Sequence, residues 1–175
     1  MNYKEMTFDN LSHEEQLCYN RYKQNSYDIN DSLRKGIEPN FFQCKVFDNL
    51  ISKYENNAEL ILYRVTPYTG ITESIYKDLG YMSCCKDSSE LPNFCTEIMH
   101  YIFKISIPVG KHLIDMTKNE KFAGESEILL PRDSQFNITN TIIIDNYEAI
   151  LSFFDDDKYV AENVKQLTII SMTMI

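Results

Sequence analysis

Residues 122–136 read FAGESEILLPRDSQF, and this stretch sets the frame for the rest of the chain. Glu125 and Glu127 sit one residue apart, the apolar run Ile128-Leu129-Leu130 follows at once, and Pro131 ends it. In an extended segment alternate side chains share a face, so both carboxylates point the same way. Their Cα atoms then stand about 6.5–7 Å apart. Two acids at that spacing can flank one reacting centre without repelling each other at contact distance. The apolar run fits a short buried strand that would hold the pair rigidly. Gly124 permits an unusual backbone turn just ahead of it. On its own the pattern is weak, because acidic pairs at loop-to-strand junctions are commonly solvated edges.

The chain has 175 residues, the size of one domain with a real core. Its net charge of −9 makes nucleic acid and anionic membranes poor partners. The N-terminal stretch MNYKEMTFDNLSHEEQ is polar and lacks the apolar core of a secretory signal. No apolar run approaches the ~18 residues of a membrane span. Cys18, Cys44, Cys84, Cys85 and Cys95 are odd in number and show no C-x-x-C spacing, which predicts reduced thiols in a cytosolic setting. His13, His100 and His112 are scattered, so no metal site is expected.

Outward from the acidic stretch, the chain divides by periodicity. Residues 12–35 predict helix, with Ser12 and Glu15 as a capping box and QNSYDINDS as a segment that could break it in two. Gly36 and Pro39 stop it. Residues 40–56 place Phe41, Cys44, Phe47, Leu50, Ile51 and Tyr54 at helical spacing, which predicts another amphipathic helix. From residue 59 the character is β. ELILYRV, GYMSCC, HYIFKISIPVG, HLIDMT, EILLPRDSQFNITNTIIID and QLTIISMTM supply strand segments, and residues 72–79 read as a short helix. Helices first and strands after predict an α+β domain, with N-terminal helices packed on two small mixed or antiparallel β-sheets. A single domain over 1–175 is expected, helical over about 12–56 and β over about 59–175.

Three β-region landmarks carry chemistry. Arg64 follows Leu62-Tyr63 at the end of an apolar strand, where a guanidinium must reach solvent or meet an anion. Ser83-Cys84-Cys85 places small hydroxyl and thiol side chains on a strand. Glu125-Ser126-Glu127 completes the set. In this order and spacing they resemble the ADP-ribosyltransferase toxin and exoenzyme family, in its arginine, serine-strand, glutamate (R-S-E) branch. That branch includes the enzymatic components of clostridial binary toxins, Rho-modifying exoenzymes and vertebrate arginine-specific ectoenzymes. The resemblance runs over roughly residues 12 to 140. IPVG followed by FAGESEILLPRDSQF reads like the family's strand, Gly, E/Q-x-E, apolar strand and Pro-Arg turn, and YKQNSYDINDSLRKG reads like its helix with two tyrosines and an I-N-x-x-L-R element.

The resemblance implies an ADP-ribosyltransferase-like fold and NAD as co-substrate, with no metal. Cleavage of the nicotinamide–ribose bond builds positive charge on the ribose. By the family's pattern Glu127 is the catalytic glutamate that stabilises this charge and bonds the ribose hydroxyl. Glu125, the first position of E-x-E, would hold an acceptor guanidinium and help remove its proton, which implies arginine as acceptor. Arg64 would bind the NAD phosphate, and the backbone of Val65 the nicotinamide amide. Ser83 would orient Glu127. Tyr27, Asn30 and Arg34 match the helix that closes over the dinucleotide, and Phe94 the aromatic that stacks on nicotinamide. For Tyr22, core packing stands beside this reading. The chain departs from the pattern in four places: Cys84-Cys85 stand in the S-T-S strand, Val65 replaces a glycine, Glu97 stands where the family often has arginine, and Tyr27–Asn30 is one residue short.

By the same resemblance the chain is expected to be a mono-ADP-ribosyltransferase acting on a protein side chain. Actin, a small GTPase or another host protein are the acceptors to expect. A monomer acting in the cytosol of a host or target cell is expected: without the second domain of the binary toxins it would be a free-standing effector, delivered by secretion machinery or made by a phage or virus inside its host. An NAD glycohydrolase, with water as acceptor, and a catalytically degenerate binding module on the same fold are the alternatives.

Overall fold

The structure, a computed structural model, describes residues 6–67, 71, 73–116 and 126–175. Among these residues the α-helices are α1 (His13–Arg34), α2 (Cys44–Ile51), α3 (Tyr147–Phe153) and α4 (Lys158–Asn163). The strands are β1 (Leu60–Thr66), β2 (Ile75–Asp78), β3 (Met82–Cys85), β4 (Tyr101–Ile107), β5 (Ile114–Asp115), β6 (Glu127–Leu130), β7 (Ser134–Ile144) and β8 (Leu167–Met174). This is the mixed helix-and-strand composition that the sequence predicts. The chain forms two compact units, one from Met1–Glu59, Lys77–Cys84 and Pro108–Gln135, the other from Leu60–Tyr76, Cys85–Ile107 and Phe136–Ile175.

In the first unit α1 starts on the expected capping box. Ser12 Oγ accepts from Glu15 N (3.3 Å), and Glu15 Oε2 accepts from Ser12 N (2.9 Å). The helix kinks at Asn25 (φ −132°, ψ 23°), inside the segment where a break was expected. There the Asn25 side-chain amide donates to the Arg21 carbonyl (3.0 Å), so a side chain competes for a helical acceptor. At the far end Gly36 (φ 74°) closes the helix, with Gly36 N bonded to Leu33 O and Ile37 N to Ser32 O. This is a Schellman stop, which needs the left-handed backbone that glycine adopts without strain. α2 is shorter than residues 40–56, because turns flank it: Phe42 N bonds to Pro39 O, Lys53 N to Leu50 O and Tyr54 N to Ile51 O.

Both helices lay their apolar residues into one core. Tyr19, Tyr22, Ile29 and Leu33 of α1 join Phe47, Leu50 and Ile51 of α2, with Tyr81, Ile114, Met116 and Leu129. The aromatic centre is tight: Tyr22 stacks on Phe47 (centroids 4.8 Å), and Tyr81 meets both edge-on. The strands of this unit run in the order β3-β6-β5.

The second unit holds strands in the order β2-β7-β8-β4-β1, with β2 contributing Ile75 and Tyr76. β1 and β4 are antiparallel over seven pairs, from Leu60↔Ile107 to Thr66↔Tyr101. β4 and β8 are parallel, and β7 and β8 antiparallel with an irregularity between Ile138 and Asn140. Residues 72–79 read as a short helix in sequence, but Ile75–Asp78 is a strand. Tyr76 explains the outcome, because its ring packs on Phe103 and Phe136 (5.3 and 6.1 Å), contacts that a strand presents and a local propensity ignores.

The β region is also not uninterrupted: α3 and α4 lie between β7 and β8 and were not placed from sequence. Their caps are Asn146, accepting from Ala149 N, and Asp157, accepting from Val160 N. Ile150, Val160, Ala161 and Val164 build this unit's core with Leu91, Ile102 and Leu167. Among the described residues no helix is long and apolar enough to cross a membrane, and no group of His, Cys, Asp and Glu is placed to hold a metal.

Candidate active site

Glu127 opens β6, and its side chain is only 11% exposed. The three residues after it, Ile128, Leu129 and Leu130, are fully buried, so the strand that carries the carboxylate is anchored along its whole length. β6 lies beside β3, which carries Ser83, so the serine and the glutamate stand on neighbouring strands of one sheet. The ion-pair partner of Glu127 comes from elsewhere: Lys23 Nζ of α1 donates to Oε2 at 2.5 Å, from a side chain only 6% exposed. Glu125 lies outside the described residues.

The same unit assembles the second half of α1. Arg34 forms a fork on Asp78, Nε to Oδ1 at 2.9 Å and Nη2 to Oδ2 at 3.0 Å. Asp78 is 2% exposed and also accepts from Gly80 N (2.9 Å). Asn30 is buried, donates to the Tyr22 hydroxyl (2.9 Å) and accepts from Tyr81 N (2.8 Å). Gly80 lies directly against this cluster: a Cβ there would stand 3.0 Å from Asn30 Oδ1 and 3.4 Å from Arg34 Cζ. A side chain at position 80 would displace the two residues matched to dinucleotide binding. Tyr27 has a different fate. It is 81% exposed, while Tyr22 is fully buried in the core.

In the second unit Arg64 sits on β1 opposite Phe103, and the neighbouring Val65 packs its side chain into that unit's core. Phe94 ends the 3₁₀ turn Ser88–Asn93, held by Phe94 N to Leu91 O (3.0 Å), and keeps its ring 52% exposed. The Ser-Cys-Cys strand is chemically quiet at its thiol end. Burial pushes Cys85 up to about 11, with the Glu90 charge adding to it, so the thiol stays protonated near neutrality. All five cysteines are free thiols. Burial likewise raises Cys18 and Cys95 to about 12 and Cys44 to about 11.

Two residues of this neighbourhood were not found from sequence, Lys23 and Asp78. Both are recognised only through partners 104 and 44 positions away, and no local pattern signals them.

The fold built from these units is that of the ADP-ribosyltransferase toxins. Plx2a, an ADP-ribosyltransferase toxin from Paenibacillus larvae, superposes with a TM-score of 0.70 at 18% identity, over 95% of this chain and 88% of that one. The Clostridium limosum C3 exoenzyme gives 0.69 at 17% identity, over 100% and 98%. BECa, from a binary enterotoxin of C. perfringens and solved with NADH, gives 0.70 at 14% identity; there 96% of this chain covers only 45% of the toxin component. No curated protein sequence matches the chain. The family model for ADP-ribosyltransferase exoenzyme matches residues 68–171, more than half the chain, and the protein belongs to that family. It is by class an NAD-dependent ADP-ribosyltransferase.

Proposed function

We propose that the protein transfers a single ADP-ribose from NAD to an arginine side chain of a protein, with Glu127 as the catalytic carboxylate. The observation that carries this is the placement of Glu127: a nearly buried, cation-paired carboxylate at the head of an anchored strand, two residues after Glu125. By family pattern the carboxylate suits a ribose hydroxyl, Arg34 and Arg64 suit phosphate, and Phe94, which is exposed, suits a flat ring. The backbone of Val65 and the side chains of Asn30 and Tyr27 complete the cofactor-binding set by family pattern. Asn30 supports it indirectly, since its bonds to Tyr22 and Tyr81 fix the helix that carries Arg34.

In the reaction the bond between nicotinamide and ribose breaks, and its electron pair leaves with nicotinamide. Glu127 offers a fixed negative charge where positive charge develops. Ser83, on the adjacent strand, positions it. Glu125 accepts a proton from the acceptor guanidinium, whose nitrogen then bonds the ribose carbon. A host protein such as actin or a small GTPase is the acceptor class, and the cytosol of a target cell the place of action.

Labelled NAD, a eukaryotic cell lysate and the purified protein test this beside Glu127→Gln and Glu125→Gln. Glu127→Gln is expected to lower transfer about 100- to 1,000-fold. Glu125→Gln is expected to lower arginine labelling more than nicotinamide release. Equal loss of both in Glu125→Gln refutes its role toward the acceptor. Nicotinamide release with no labelled protein in the wild type makes water the acceptor instead.

A further inference from the structure

Lys23 is a buried cation that neither the sequence pattern nor the roles above use. It sits on α1 between residues that are fixed in the core. Tyr19, one turn earlier, donates its hydroxyl to Met116 O (2.7 Å), and the adjacent Tyr22 is fully buried and bonded by Asn30. Its side chain is 6% exposed, so the rotamer freedom that normally makes lysine an imprecise partner is largely gone. Its ammonium meets one oxygen, Oε2, of Glu127. The carboxylate at the other end is held by a strand with three consecutive buried residues.

An ionised carboxylate at 11% exposure is costly unless it is paired. Lys23 supplies that pairing from a fixed helix, and by gripping Oε2 it fixes the rotation of the whole carboxylate. The second oxygen, Oε1, is then aimed by the first. We infer that Lys23 is a positioning residue for Glu127: it holds the carboxylate turned so that Oε1 meets the ribose hydroxyl of NAD. The inference rests on the reading of Glu127 as the catalytic carboxylate. It assigns Lys23 no contact with substrate. It also gives the tyrosine-rich helix a task in turnover beyond closing over the dinucleotide.

The test compares Lys23→Met, Lys23→Arg, Glu127→Gln and the double variant Lys23→Met/Glu127→Gln, by nicotinamide release over a range of NAD concentrations and by thermal unfolding. A carboxylate displaced by about 1 Å costs about 100-fold in turnover. Lys23→Met is therefore expected to lower kcat about 100-fold with the KM for NAD within about twofold. Lys23→Arg, which restores the charge, is expected to recover most of that loss. In unfolding, the double variant is expected to be more stable than Lys23→Met, because the Glu127 charge is no longer buried without Lys23. The double variant also keeps the comparison usable should Lys23→Met fold poorly.

The inference is overturned if Lys23→Met turns over as fast as wild type or faster, if its loss lies in KM, or if Lys23→Arg is as poor as Lys23→Met. Full activity in Glu127→Gln overturns the underlying assignment of Glu127 instead. A dead Glu127→Gln beside an active Lys23→Met overturns only the role of Lys23.

Discussion

Asp78→Asn isolates the contact that fixes Arg34. Asp78 is fully enclosed, and Arg34 Nε, Arg34 Nη2 and Gly80 N are among the donors that converge on it. Asparagine keeps the shape but offers one oxygen. Whichever way the amide turns, its NH₂ faces a donor, Nη2 on one side or Nε and Gly80 N on the other. Removing one partner of a buried pair costs roughly 3–5 kcal/mol. Arg34 is 36% exposed, so water recovers part of its charge and the cost falls to about 2–3 kcal/mol. At this chain length each kcal/mol moves the midpoint by roughly 2–4 °C, so a drop of roughly 5–10 °C is expected. The guanidinium also loses one arm of its fork, and titration with NAD is expected to show weaker binding by about tenfold. Calorimetry with and without NAD reads both. A midpoint within about 1 °C of wild type would refute the claim that this pair holds the end of α1. Lower stability with unchanged NAD affinity would separate Arg34 from the dinucleotide.

Two further expectations concern the frame around the site. Glu15 has its pKa held below the ordinary 4.5: burial acts to raise it, but the Lys53 ammonium and the Ser12 amide and hydroxyl outweigh that. A depressed folded value means that its stabilisation is complete above pH about 4.5 and is lost as pH falls through the folded value. Glu15→Gln is expected to cost about 1 kcal/mol at pH 7 and to flatten that acid limb, checked by urea midpoints from pH 3 to 7. Arg132→Met removes the fork on Asp48 (2.7–3.2 Å) and the bond to Glu38 (2.8 Å), while Asp48 keeps the Tyr81 hydroxyl (2.7 Å). A loss of about 1–3 kcal/mol is expected from the same urea experiment, and an unchanged midpoint would mean that this turn is held by packing alone.

Local chemistry was legible in the sequence wherever a short pattern has a short-range cause. The Ser12–Glu15 box, the glycine stop at Gly36 and the strands at Leu60–Thr66, Met82–Cys85, Tyr101–Ile107 and Leu167–Met174 all arise from neighbours within a few residues. The acidic E-x-E ahead of three apolar residues likewise marked Glu127 as the start of a buried strand. Asn146 and Asp157 carried readable N-cap signals for α3 and α4, but those helices are only seven and six residues long, too short for periodicity to show.

Which side chains meet was left to tertiary packing. Tyr22 and Tyr27 are five residues apart, and a 3.6-residue period places them on different faces; the kink at Asn25 leaves one at the centre of the aromatic core and the other in solvent. Ile75–Asp78 became a strand because Tyr76 found Phe103 and Phe136, far along the chain. Lys23 and Asp78 took their roles from Glu127 and Arg34 across 104 and 44 residues. Backbone preference and residue chemistry are local, so most elements and the candidate reacting carboxylate could be read directly from the chain. The counter-ions that fix that carboxylate and the arginine were settled by folding, because a buried charge selects whichever opposite charge the packed chain brings within reach.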